Sequence, residues 1–456
     1  MDSETKIDER YAELFRSRIE QISAGSAPFI NSLREEAFGR FRELGVPDRK
    51  SEAYRYTNLE PLFSHHYHDY IIPDAGDLNY ARNFECEVED LDVHNLVLVN
   101  GFYPPNGGAL KTIDPGVSLG SLTEAAVSQS EVVERHYGRY AASDEDGLIH
   151  LNTALATDGV FINVPEGVRS EKPVQIVNLV RSEKDIFVQH RNLVVVGEDA
   201  EATIIICDHT VSPNNYLTNA VTEVYVGANA RFTLIRVQNE HNKAAKLTHT
   251  FIHQERGSYA SSVNITLHGG VVRNSTYHHL GGEGAHANAA GLYLTDRTQH
   301  VDNFVSVNHA VADCTSNQLF KGVLDDVATG TFNGRIVVRP DAQRTRAYQS
   351  NNTILLTDDA RMDTRPQLEI FADDVKCSHG ATVGQIDDNA LFYLMSRGIN
   401  RREARLMLMF GFAHEVVQEI PVEALQRRID TLVMQRLRGE LTRCASCMMR
   451  CRESVQ

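Results

Sequence analysis

In the stretch Lys376-Cys377-Ser378-His379-Gly380, a thiol and an imidazole stand two positions apart. If the segment is extended, residues i and i+2 face the same side. Side by side, a thiolate and an imidazole suit a soft metal such as iron or zinc, and a neighbouring cation would depress the thiol pKa. Two ligands are too few for a closed site, so a complete one calls for ligands from another chain. A second candidate is the tail Cys444-Ala-Ser-Cys447-Met-Met-Arg-Cys451. Its C-x2-C-x3-C spacing is dense enough to chelate, and Arg443, Arg450 and Arg452 beside it favour thiolates. The plainer reading of that tail is a chain end with reactive thiols. His65, His66 and His68 lack any Cys or carboxylate at ligand spacing and read as solvated loop residues. His268, His278, His279, His286, His300 and His309 read as outward polar positions.

No complete active site accompanies these groups, and no residue is assigned as catalytic or cofactor-binding. There is no G-x-x-x-x-G-K-[ST], so the chain does not cradle a triphosphate by itself and any ATP chemistry belongs to a partner. No G-x-S-x-G elbow or H-E-x-x-H occurs. Gly281-Gly282-Glu283-Gly284 opens no helix, which speaks against dinucleotide binding. With 45 basic against 61 acidic residues, a net charge of -16 disfavours nucleic acid. No apolar run reaches the ~18 residues that cross a bilayer. The acidic, polar start is unlike a signal peptide, and the seven scattered cysteines read as reduced thiols, so the expected compartment is the cytoplasm, with no membrane partner.

Three regions are expected to position the candidate residues. In 1–149, Leu14, Phe15, Ile19 and Ile22, then Leu33, Phe38, Phe41 and Leu44 before Gly45, predict a pair of amphipathic helices followed by a small mixed region. Across 150–385, short Val, Ile, Thr and Phe runs alternate with Gly, Asn and Asp. Gly197 to Ala200, Gly227 to Ala230 and Gly257 to Ala260 recur at a spacing of 30, and Gly284 to Ala287 follows 27 later. A fixed period of this size points to stacked coils, hence a parallel β solenoid with Gly at one corner. One detail resists: Phe232 and Leu234 lie two and four residues after their Ala, whereas Val263, Ile265 and Leu267 lie three, five and seven after theirs. Since a one-residue slip inverts every side chain, this implies a bulge or a partly accidental glycine spacing, and it leaves a β sandwich open as an alternative. In 386–456, Asp387 or Asp388 caps a helix that ends at Gly398, Asn400 with Glu403 forms the capping box of a second, and Val422 to Leu437 carries a third. One apolar stripe on each predicts that the helices pack on one another at the solenoid end.

The stretch from Ala372 to Asp388 (ADDVKCSHGATVGQIDD), followed by Ala390 to Gly398 (ALFYLMSRG), resembles the signature of the SufB/SufD family of iron–sulfur cluster assembly proteins. Leu44 to Thr57 (LGVPDRKSEAYRYT), Leu151 to Ile162 (LNTALATDGVFI) and the glycines at 380 and 384 resemble its SufD side, and the likeness covers nearly the whole chain. It implies a right-handed parallel β-helix between helical ends and a non-catalytic scaffold. It implies pairing with SufB, and docking of the ABC-type ATPase SufC on the C-terminal helices, which would supply the missing P-loop. Cys377 and His379 are the residues that carry over, at the interface where a transient cluster or iron would sit. Flavin is linked to the assembled complex, though no flavin motif is visible and no cofactor is expected in the isolated chain. The residues alone leave two other readings: a β-helix carbohydrate enzyme, which needs paired carboxylates on one exposed face, and a structural homodimer formed through a solenoid edge.

Overall fold

The computed structural model describes residues 3–69, 71, 76, 88–104, 110–113, 115–141 and 146–440. The N-terminal region contains helices α1 (Ser3–Ala24), α2 (Pro28–Leu44), α3 (Glu60–Ser64), α4 (Leu122–Ser128), α5 (Ser130–His136) and α6 (Gly147–Leu155). Pro28 opens α2, where its missing N–H costs nothing, and Gly45 stops it at φ 68 while its N–H reaches back to the Phe41 carbonyl. Phe15 and Ile22 of α1 and Phe41 of α2 close onto Leu148 and Leu151 of α6 and onto the solenoid wall at Leu217 and Leu247.

The β section is a parallel solenoid of two sheets, and the β sandwich is ruled out. Strands β1 (His68–Asp69), β2 (His94–Val99), β3 (Lys111–Ile113), β4 (Val117–Ser121) and β5 (Val160–Val164) begin it. Thereafter the chain alternates between the sheets. It runs β6 (Val174–Val180), β7 (Ile186–Val196), β8 (Glu201–Thr210), β9 (Tyr216–Val226), β10 (Arg231–Asn239), β11 (Ala244–Gln254), β12 (Tyr259–His268) and β13 (Val271–Leu280). It continues through β14 (His286–Thr295), β15 (His300–His309), β16 (Thr315–Leu324), β17 (Thr329–Val338), β18 (Thr345–Leu355), β19 (Arg361–Ile370) and β20 (Val375–Gly384). The odd sheet stacks β5 to β19 and is extended by antiparallel β4 and β3, while the even sheet runs from β2 and β6 to β20. Strands of the N-terminal region thus complete the first coil.

The register corrects the glycine repeat. Glu201 pairs with Arg231, Arg231 with Tyr259, and Tyr259 with His286. Two residues before each of these strands the backbone turns left-handed, at Asp199 (φ 54), Asn229 (φ 56), Gly257 (φ 67) and Gly284 (φ 72). Gly257 and Gly284 are therefore equivalent to Asp199 and Asn229, not to Gly197 and Gly227. The latter two serve a different need, because a Cβ there would stand 2.6 Å and 2.7 Å from the backbone nitrogens of Glu166 and Glu198 in the coil before.

The apparent slip of phase also dissolves. Phe232 and Leu234 face the lumen with Ile204, Ile206 and Ala260. Val263, Ile265 and Leu267 face outward, as do Ile235 and Val237 at the equivalent positions of β10. Both faces of the even sheet are apolar because helices cover the outer one. Helices α7 (Asp388–Ser396), α8 (Arg401–Val417) and α9 (Glu423–Leu437) follow β20, and α8 and α9 fold back along the solenoid flank instead of stacking on its end. Leu406, Met409, Ala413, Ile429 and Leu432 pack there against Ile205, Ile235, Ile265 and Leu292. Full burial of each large aliphatic side chain contributes about 1.5–3 kcal/mol. Arg436 fixes the seam, donating to the Leu267 carbonyl at 2.7 Å and to Asp296 at 2.6 Å. The helix starts match expectation: the Asp387 side chain accepts from the N–H groups of Asn389 and Ala390, the Asn400 side chain accepts from that of Glu403, and Gly398 stands at φ 87.

Candidate functional site

Cys377 and His379 lie on β20, the last rung of the even sheet. Ala347 pairs with Cys377 and Gln349 with His379, which places both side chains on the lumen side, about 6.7 Å apart along the strand at the usual rise. Cys377 is half-buried and unpaired, against Ile336, Val338 and Ala347. Burial in that apolar wall pushes its thiol up, opposed by the Ala347 backbone N–H. The side chains packed against the sulfur are hydrocarbon, so the depression that a neighbouring cation would bring is not what this wall supplies. His379 is exposed.

The rung above is missing. Among the described residues β20 pairs only with β18, and β19 only with β17, so the coil ends on two open edges. Ile370 (39% exposed), Phe371 (60%) and Val383 (42%) show apolar surface there. Among the described residues no three His, Cys, Asp or Glu side chains converge as a metal cage would require. Among the described residues the pair therefore stands on an end that no further strand covers.

Cys444, Cys447 and Cys451 lie outside the described residues. The histidine readings need correction. His278 and His309 do not face outward: both are fully buried in the lumen, His278 against the Ser262 hydroxyl and the Gln254 amide oxygen, His309 against Ser316. His279 stacks on His253, His286 stacks on Tyr259, His300 contacts Thr57 and Thr329, and His268 meets the Glu240 carbonyl. His65 is held 2.7 Å from Asp185 instead of lying loose in a loop.

Two features escaped the sequence. Helix α7 presents Phe392 (73% exposed), Tyr393 (57%) and Met395 (40%) to solvent, and Met407 on α8 joins them at 50%. The signal was there, since five consecutive apolar residues from Leu391 to Met395 cannot share one helical stripe. The other feature is sealed in the lumen, where Lys246 Nζ lies 2.5 Å from Asp208 and 3.7 Å from Glu240, with Arg236 3.5 Å from Asp208. Burial alone would raise Asp208, but Lys246 and Arg236 outweigh it and hold the carboxyl at about 2, whereas burial wins at Glu240 and raises it. Asp208 lies on β8, Arg236 on β10, Glu240 in the turn just after β10 and Lys246 on β11, so only the coiling brings them together.

On the outer face of the even sheet, Tyr259, His286, Asn317, Tyr348, Ser378 and Glu419 line a groove of about 620 Å³ that reaches β20. Its lining includes a carboxylate and neither lysine nor arginine, which does not fit the phosphate of a flavin nucleotide.

Comparison with known proteins returns one family over almost the whole chain. Residues 179–412 match the SufBD core domain of the SUF system for FeS cluster assembly, and residues 5–176 match the SufBD N-terminal region. The chain is 33% identical to the iron-sulfur cluster assembly protein SufD of Escherichia coli over 87% of its own length and 90% of that protein. It is 29% identical to a SufBD family protein of Synechocystis, over 97% and 96%, and 24% identical to SufD of Bacillus subtilis, over 96% and 100%.

Proposed function

The chain belongs to the SufB/SufD family, on its SufD side, with a role in iron–sulfur cluster assembly, and from that premise we propose that it is a non-catalytic scaffold subunit working in the cytoplasm. It pairs with SufB through the open solenoid end and docks the SufC ATPase on its C-terminal helices. One observation supports this reading: Cys377 and His379 stand on one side of the last rung, at an end that no other strand covers among the described residues. Iron or the nascent cluster is cargo there. This chain offers one sulfur and one nitrogen, and the facing chain offers the rest. Because the thiol is pushed up by burial, loading the site must displace its proton, which makes loading weaker as pH falls.

The exposed aromatic and methionine side chains of α7 and α8 supply the dock. Aromatic and Met surface is the kind that anchors partners, and here it lies mostly on α7, which meets α8, itself packed on the solenoid flank. Closure of SufC around ATP would pull on these helices, and rigid packing of α8 and α9 against β8 to β16 would carry the movement to the coils. The open end can also accept a second copy of this chain when SufB is absent. The test is cluster formation by the chain mixed with SufB and SufC, read from iron content and visible absorbance. Cys377→Ser combined with His379→Ala is expected to abolish it. Full cluster formation by the double variant would remove both residues from the mechanism.

A further inference from the structure

The geometry points to Gln349 as a positioning residue for His379, an inference that rests on the reading of His379 as a ligand. Gln318, Gln349 and His379 occupy equivalent positions on β16, β18 and β20, one above another along the lumen wall. Gln349 Nε2 donates to Gln318 Oε1 at 2.6 Å, with both side chains buried. An amide spends its nitrogen and its oxygen in opposite directions, so a nitrogen aimed down the column leaves the oxygen aimed up it, as in stacked glutamine ladders. Gln349 Oε1 is indeed buried without a hydrogen-bond partner, and Gln318 Nε2 is unpartnered at the lower end, where the next rung is Ala289. Across the lumen Gly334 leaves room for this amide, since a Cβ there would collide with it.

A buried carbonyl oxygen without a donor is costly, because it has given up its water and gained nothing in return. The rung above it, roughly 4.8 Å away at the usual strand spacing, is His379. A ring N–H of His379 donating to Gln349 Oε1 satisfies that oxygen, fixes the tautomer and leaves the lone pair of the other ring nitrogen facing the open end. Histidines that bind metals are oriented in the same manner, by a carbonyl or carboxylate behind them. The site is then organised two coils deep, although its ligands sit on the last one.

The test needs no metal. In the full chain carrying ring-¹⁵N histidine, long-range ¹H–¹⁵N correlation at a pH where the rings are neutral reports the tautomer of His379. Its signals are assigned by their loss in His379→Gln. The wild-type chain is expected to show one tautomer, Gln349→Leu a mixture, and Gln349→Glu, which keeps an acceptor oxygen, one tautomer again. A mixture in the wild-type chain, or His379 signals unchanged in Gln349→Leu, would overturn the assignment, and the first of these outcomes requires no variant to fold. If His379→Ala chains still assemble clusters while the tautomer result holds, the reading of His379 as a ligand fails and its orientation by Gln349 stands. The opposite pair of results ends only the positioning.

Discussion

The two ends of the solenoid use one backbone geometry and meet opposite fates. At the start, β2 and the antiparallel β3–β4 pair close over the first coil, β4 and β6 are buried throughout, and the lumen is filled by Val160, Ile162, Val164 and Ile176. At the far end, β19 is largely half-exposed and β20 mostly exposed, and its lumen side carries Cys377 and His379 between Val375 and Val383. A terminal coil must hide its open edge or lend it to another chain. The first end is covered by its own strands; the second, among the described residues, leaves its edge and lumen rim exposed, which is where the proposed partner would meet the proposed ligands.

Five substitutions would sharpen or break this contrast. The largest effect on association is expected from Val383→Lys, which places a charge on the open lumen rim. It should weaken association with SufB, or with a second copy, on the order of a hundredfold and leave unfolding nearly unchanged. Native mass spectrometry beside a denaturant melt checks both halves. Association intact in the variant would mean that the partner binds elsewhere.

Next come two substitutions in the closed part. Lys246→Met strands Asp208 and should destabilise by about 3–5 kcal/mol, and Phe232→Ala should cost about 3–5 kcal/mol through the cavity it leaves in the lumen. Both are read from denaturant midpoints. Losses below about 1 kcal/mol would mean that the early coils are less tightly filled than their burial indicates.

An intermediate effect concerns pH. Burial pushes His278 down to about 3 and His309 to about 4, so between roughly 6.5 and those values the unfolded chain holds protons that the folded chain lacks. Stability therefore falls as pH drops from about 6.5 towards 4. His309→Gln should recover on the order of 2 kcal/mol of that loss at pH 4, seen as a flatter plot of melting temperature against pH. A slope unchanged by the substitution would mean that His309 is not the buried neutral group described. The smallest effect is expected at the site itself, where Cys377→Ser should change unfolding by about 1 kcal/mol or less, since the open rung carries little of the fold.

The solenoid was legible because each coil repeats one requirement, a turn and then an apolar wall, at a near-constant interval. The alignment went astray at Gly257 because Asp, Asn and Gly can all take the left-handed corner, so glycine alone did not mark it. The double-faced burial of the even sheet could not be read in advance, because alternation shows which residues share a face but not what lies across from either one.

Taken alone, the sequence determined the local terms: the caps at Asp387 and Asn400, the stop at Gly45, the pairing of Cys377 with His379 on one side of a strand, and the lack of a nucleotide loop. Each depends on neighbours within a few residues. The tertiary structure decided everything that hangs on stacking between coils. It buried His278 and His309, gathered Asp208, Arg236, Glu240 and Lys246 from β8, β10, β11 and the turn after β10, set Gln349 under His379 and left Phe392, Tyr393 and Met395 of α7 exposed. Residues some thirty positions apart become neighbours only when the chain completes a turn, and no local pattern records which of them will meet.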